Sequence, residues 1–141
     1  MSALPEDLQS DIEQALARFQ CVVGTIHRFD PTTRQLELLT HRGIPDEILP
    51  QVQRIPIGKG MAGLAARRRE CVTVCNLQTD ESGAAKPGAK LTGMEGSIAV
   101  PMLVNGGLRG VLGVAKPTAY EFSESEKKLL LHVASLIGQR L

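Results

Sequence analysis

Between Gly58 and Pro117 the chain sets out a glycine-punctuated turn, a short helix, a strand, a long polar loop and a two-stranded hairpin, in that order. Gly58-Lys59-Gly60-Met61-Ala62-Gly63 opens a helix over Leu64 to Arg69, and Cys71 to Asn76 reads as a strand. Ser97 to Val104 and Leu108 to Lys116 flank Asn105-Gly106-Gly107, a hairpin signal because Asn and Gly tolerate positive φ. Strands joined by turns this short run antiparallel, whereas a doubly wound parallel sheet needs a helix between successive strands.

The flanking segments complete an α+β pattern. Leu8, Ile12, Ala15, Leu16 and Phe19 recur at helical spacing, with Glu6, Asp7, Asp11 and Glu13 toward the positive end of the helix dipole, so residues 4–19 are predicted helical. Cys21 to Phe29 and Gln35 to Thr40 form a predicted hairpin around Asp30-Pro31-Thr32-Thr33. Pro45 begins a predicted short helix to about Gln53, and Ile55-Pro56-Ile57 leads into the glycine turn. Pro101 removes a ladder donor, which places it at an edge or bulge. Gly110 and Gly113 suit close packing against their strand.

Ser123-Glu124-Ser125-Glu126 is a capping box that launches a last helix through Leu141. Leu130, Ala134, Ile137 and Leu141 make one stripe on it, and Leu129, Val133 and Leu136 widen that stripe beyond what one sheet face covers. Isologous pairing hides such a surplus, so a homodimer through the first and last helices is expected.

The 141 residues suit one domain, 1–141, with a terminal helix at each end of a core over about 20–122. Met1 to Asp11 lacks the basic-then-apolar order of a signal peptide, and no apolar run approaches the ~18 residues of a membrane span. A cytoplasmic location away from membranes is expected. Net charge is +1, and with no Trp, one Tyr and three Phe there is little to stack single-stranded nucleic acid, so no nucleic-acid partner is expected. Seven Lys/Arg against three Asp/Glu between Arg54 and Lys90 read as a solvated basic face led by Arg67-Arg68-Arg69.

Three cysteines argue against a disulfide framework. Cys71 and Cys75 share a strand face about 13 Å apart at ~3.3 Å per residue, too far to bond each other or chelate one metal. All three are expected to be buried structural residues. His27, His41 and His132 are scattered without metal-ligand spacing, and each reads as a surface or packing histidine. Gly58-x-Gly60-x-x-Gly63 matches a dinucleotide fingerprint literally, yet Ile55-Pro56-Ile57 precedes it, Asn76 closes the next strand, and hairpins follow. No Gly-x-Ser-x-Gly elbow occurs, and no nucleophile is placed with a base. No metal, cofactor or catalytic residue is expected.

Together, Gly58-x-Gly60-x-x-Gly63, the strand to Asn76, Ser97-Ile98-Ala99-Val100-Pro101-Met102, Gly107-Leu108-x-Gly110-Val111-Leu112 and Phe122-Ser123-x-x-Glu126 resemble the GAF family over about residues 10–141. The resemblance implies a sensor domain with a profilin/PAS-like antiparallel sheet of about six strands. It implies helices, the terminal ones included, packed on one face and a small-molecule pocket on the other, under the long loop as a lid. Asn76, Ser97 and Lys116 are then the candidate ligand contacts, and a downstream signalling module is the implied partner. Cyclic-nucleotide-binding members carry Asn-Lys, then Phe, three residues and Asp-Glu. Here Lys116 and Phe122 match, while Ala115 replaces the Asn and Glu126-Lys127 lacks the second acid. The free-methionine-sulfoxide reductase branch places cysteines before the glycine turn, inside it and in the long loop. This chain has Val52, Ala62 and no cysteine from Asn76 to Gly96, which disfavours that alternative. A third reading is a scaffold used only for dimerisation.

Overall fold

The computed structural model describes residues 5–80 and 92–141. Helix α1 (Pro5–Phe19) is followed by the hairpin β1 (Val23–Asp30) and β2 (Gln35–Arg42). A single turn α2 (Leu49–Val52), the short strand β3 (Arg54–Pro56), helix α3 (Gly60–Arg68) and strand β4 (Val72–Val74) come next. The hairpin β5 (Ser97–Val104) and β6 (Gly107–Ala115) and the closing helix α4 (Glu124–Gly138) complete the order. The strands form one antiparallel sheet in the order β3-β2-β1-β6-β5-β4. The two hairpins meet through β1 and β6, from Val23 opposite Ala115 to Arg28 opposite Gly110. This pairing joins segments far apart in sequence, and apolar burial on both sheet faces supports it.

On one face Ile26, Ile98, Val100, Met102, Leu112 and Val114 pack against Leu8, Ile12 and Leu16 of α1 and Leu130, Ala134 and Ile137 of α4. Arg140 pairs with Asp11 and ties the two terminal helices together. The opposite face holds a smaller cluster in which Leu36, Ala99 and Val111 meet Ala65 and Ala66 of α3. The terminal helices therefore pack on one face, as expected, and α3 covers the other.

The turn chemistry behaves as residue type dictates. Asn105 and Gly106 both take positive φ, +52° and +79°, which gives the two-residue hairpin its primed turn. Ser123 Oγ accepts the Glu126 N–H at 3.1 Å while Glu126 Oε1 accepts the Ser123 N–H at 2.9 Å, the reciprocal box that starts α4. Pro101 lies where β4, paired only with Ser97 to Ala99, no longer covers β5, and a bulge follows at Met102/Leu103. The helix expected from Pro45 is shorter than its sequence reading. Residues 46–48 form turns and only Leu49–Val52 is helical, because Pro50 has no N–H for a helix interior and is tolerated only in a first turn. Helix α3 starts at Gly60, before Leu64, so that Gly63 lies within its first turns, where an added Cβ would stand 2.6 Å from the Pro56 carbonyl oxygen.

Candidate functional site

Strand alternation sends Val23, Thr25 and His27 of β1, Ser97 and Ala99 of β5 and Gly113 and Ala115 of β6 to the sheet face away from the terminal helices. Their side chains are mostly small, so a hollow of about 160 Å³ remains above this floor. Ile44, Ile48, Val52 and Ile55 wall one side, Lys59 to Ala62 at the start of α3 another, and Leu77 and Thr92 a third. Among the described residues the lining is mostly apolar and includes no Asp, Glu or Cys. Lys59 and Gln51 are exposed and stand at the mouth.

His27 is the one strongly buried polar side chain in that wall, at 2% exposure. Its Nε2 lies 2.8 Å from the Val52 carbonyl oxygen. A carbonyl only accepts, so Nε2 carries the proton and Nδ1 presents a lone pair. That Nδ1 is buried without a partner. Burial holds the imidazole pKa below its ordinary 6.5, against a smaller upward pull from the Val52 hydrogen bond, and the ring is neutral at pH 7.

The start of α3 supplies a second set of unused groups. Lys59 is the N-cap and contributes no side-chain cap bond. The Lys59 N–H goes to Pro56 O, and the first helical bond runs from Gly63 N–H to Lys59 O. The Gly60, Met61 and Ala62 amides precede it and have no intrahelical acceptor. These residues line the cavity, where the helix end carries partial positive charge. Gly58 and Gly60, at φ +89° and +65°, make the bend that brings this end to the sheet.

Of the residues expected to contact a ligand, Ser97 is in the cavity floor. Asn76 and Lys116 are not among its lining residues. Asn76 Oδ1 accepts the Gln78 N–H at 3.0 Å, and its Nδ2 donates to Glu95 at 3.3 Å. With Leu77 N–H to Glu95 O at 2.7 Å, this draws together the two ends of the long loop, whose residues 81–91, and with them most of the expected lid, lie outside the described residues. Lys116 is buried with its Nζ 4.0 Å from the Tyr120 ring centroid and 5.9 Å from that of Phe122, beside the terminal-helix core. Sequence reading passed over His27 as a packing residue. The available signal was its parity with Val23 and Thr25, which puts a polar ring on an inward-facing position of an apolar strand.

The cysteines diverge from the expectation of uniform burial. Cys21 is buried, Cys71 partly so and Cys75 exposed. Val72 and Val74 take the inward positions of the edge strand β4, so alternation turns Cys75 to solvent. Burial pushes the Cys21 thiol up to about 11, in spite of nearby Lys116. Among the described residues no cluster of His, Cys, Asp and Glu could hold a metal ion, and no helix is long and apolar enough to cross a membrane.

Solved structures share this architecture. The GAF domain of an Acinetobacter phosphoenolpyruvate-protein phosphotransferase aligns with TM-score 0.80 at 22% identity, over 99% of this chain and 82% of that one. Free methionine-R-sulfoxide reductase from Neisseria meningitidis, in complex with its substrate, aligns with TM-score 0.78 at 20% identity over 96% and 76%. The domain of a putative two-component sensor histidine kinase protein from Sinorhizobium meliloti gives 0.76 at 18% over 99% and 91%. At these identities the likeness is one of fold. None of the curated protein sequences is significantly similar to the chain. The family model described as GAF domain matches residues 2–141, and the chain belongs to the GAF domain family.

Proposed function

We propose that the chain is a non-catalytic, cytoplasmic sensor domain that binds a small molecule in the cavity between the sheet, α3 and the ends of the long loop. The observation that carries this reading is the unpaired, buried Nδ1 of His27 in a mostly apolar wall. Leaving a buried acceptor unpaired costs about 1–3 kcal/mol, which a bound donor recovers. Ser97 is the proposed direct contact among the residues read from sequence. Asn76 contributes by clamping the loop ends beside Leu77, and Lys116 by fixing the segment that leaves β6 toward α4.

The chemistry of the wall favours binding over turnover. No cysteine lines the cavity, and residues 81–91 contain none. Val52 and Ala62, where the reductase branch of the family carries cysteines, both stand in the cavity wall. Thiol-based sulfoxide reduction therefore has no nucleophile there. For output, the exposed Leu136, flanked by the half-buried Leu129 and Val133, is the proposed contact in a homodimer of terminal helices. A ligand-biased cavity would shift these helices through the shared sheet and pass the signal to a downstream module.

A metabolite-wide thermal-shift screen, with amide NMR to locate binding, tests the sensor reading. The expected result is a stabilising compound whose shifts centre on Ser97, Ala99 and Gly113. Turnover of free methionine sulfoxide by the wild type with a reductant, lost on replacing a cysteine, would refute the non-catalytic assignment.

A further inference from the structure

Three features of the cavity restrict what it can hold. Its volume, about 160 Å³, is close to that of an apolar protein cavity that takes benzene and below the ~300–1,000 Å³ of sites for drug-sized ligands. At the mouth, the first-turn amides of Gly60, Met61 and Ala62, which have no intrahelical acceptor, and the exposed Lys59 favour an anionic group. Deeper in, His27 Nδ1 lacks a donor.

We propose, building on the sensor reading above, that the ligand is a small branched hydroxy acid, its carboxylate on the first-turn amides at the start of α3 and its hydroxyl donating to His27 Nδ1. The apolar body lies against Ile48, Ile55 and Ala99. The donor is a hydroxyl because an ammonium would be desolvated among described lining residues that include Lys59 and no Asp or Glu. A keto group in its place offers no proton and leaves Nδ1 unpaired.

The test is isothermal titration of the 141-residue chain with 2-hydroxy-4-methylpentanoate, its 2-oxo counterpart, its methyl ester and leucine. The hydroxy acid is expected to bind saturably, with the oxo acid and the ester each weaker by about tenfold or more, the effect of one unpaired buried partner. Leucine is expected to be weaker also. His27→Phe should bring the hydroxy acid down to the level of the oxo acid and leave the oxo acid unchanged. The wild-type ratio of hydroxy to oxo acid decides the point even if that variant fails to fold. Equal affinities for the two acids, or no saturable binding of the hydroxy acid at millimolar concentration, would overturn the inference. In that event, another compound giving amide shifts at Ser97, Ala99 and Gly113 leaves the sensor reading standing, whereas a screen in which nothing shifts those amides removes both.

Discussion

Replacing Glu126 tests how the exit of the sheet is fastened to α4. Its carboxylate accepts the Ser123 N–H at 2.9 Å and the Tyr120 hydroxyl at 2.8 Å, while its own N–H donates to Ser123 Oγ at 3.1 Å. Burial raises its pKa, but the hydrogen bonds from Ser123 and Tyr120 outweigh that and hold the group below its ordinary 4.5. Ser123→Ala removes one cap bond and should cost about 1 kcal/mol. Glu126→Ala removes the reciprocal bond, the acceptor for Tyr120 and a first-turn negative charge, which alone is worth about 0.3–1 kcal/mol, so its cost should reach about 1–2 kcal/mol. At ~2.1 cal/mol/K per residue, the unfolding entropy of this chain is roughly 0.3 kcal/mol/K, so these losses correspond to about 3 °C and 3–6 °C in Tm. The double variant should cost less than the sum, because the two bonds of the box support each other. The depressed pKa fixes the sign with pH: the contribution of Glu126 is present above its unfolded value and is lost as pH falls through the folded one. Glu126→Ala should therefore lose its effect in acid. Urea denaturation at pH 7 and pH 3 measures all of this. A Glu126→Ala midpoint equal to wild type at pH 7, with unchanged slope, would refute the reasoning.

Other expectations follow from single contacts. A Cβ on Gly110 would stand 2.0 Å from the His27 carbonyl oxygen, so Gly110→Ala should exceed the ~0.5–3 kcal/mol of an average substitution, whereas Gly107→Ala meets only an ordinary 3.4 Å contact; matched urea midpoints for the two would contradict this. Because His27 is held neutral below its usual 6.5, only the unfolded chain takes up its proton, and stability should fall as pH drops below about 6.5, less so in His27→Gln. Thiol labelling at pH 8 should reach exposed Cys75 first and Cys21 only on unfolding, since burial holds the Cys21 thiol at about 11; early Cys21 adducts by mass spectrometry would contradict it. Leu136→Glu should lower the solution mass toward a monomer while the domain stays folded, and light scattering showing the wild type already monomeric would remove the dimer. Ile137, at 2% exposure, cannot serve for that test because its replacement strikes the core.

Much of the fold was legible because it is written in short-range chemistry. The spacing of Leu8, Ile12 and Leu16, the Asn105-Gly106 turn and the Ser123 to Glu126 box each act within a few residues, and each reappears as α1, the β5/β6 hairpin and the start of α4. The edge character of Pro101 belongs to the same class. The side of β4 to which Cys75 points was implicit in Val72 and Val74, but its exposure was not, since Cys71 on the same side is half-buried against the terminal-helix core.

The cavity is of another kind. It exists because Ser97, Ala99, Gly113 and Ala115, from two strands, fall on the same sheet face as His27, and because Gly58 and Gly60 swing the start of α3 over that face. Nothing local to Lys116 told that its ammonium would lie on the side of the terminal helices and away from the cavity, and nothing local to Asn76 told that it would face Glu95 across the loop. The sequence determined which segments are helix, turn or strand, since backbone conformation answers to neighbours three or four positions away. Which polar atoms are left without partners depends on contacts between residues tens of positions apart, such as His27 with Val52, and only the tertiary structure decides those.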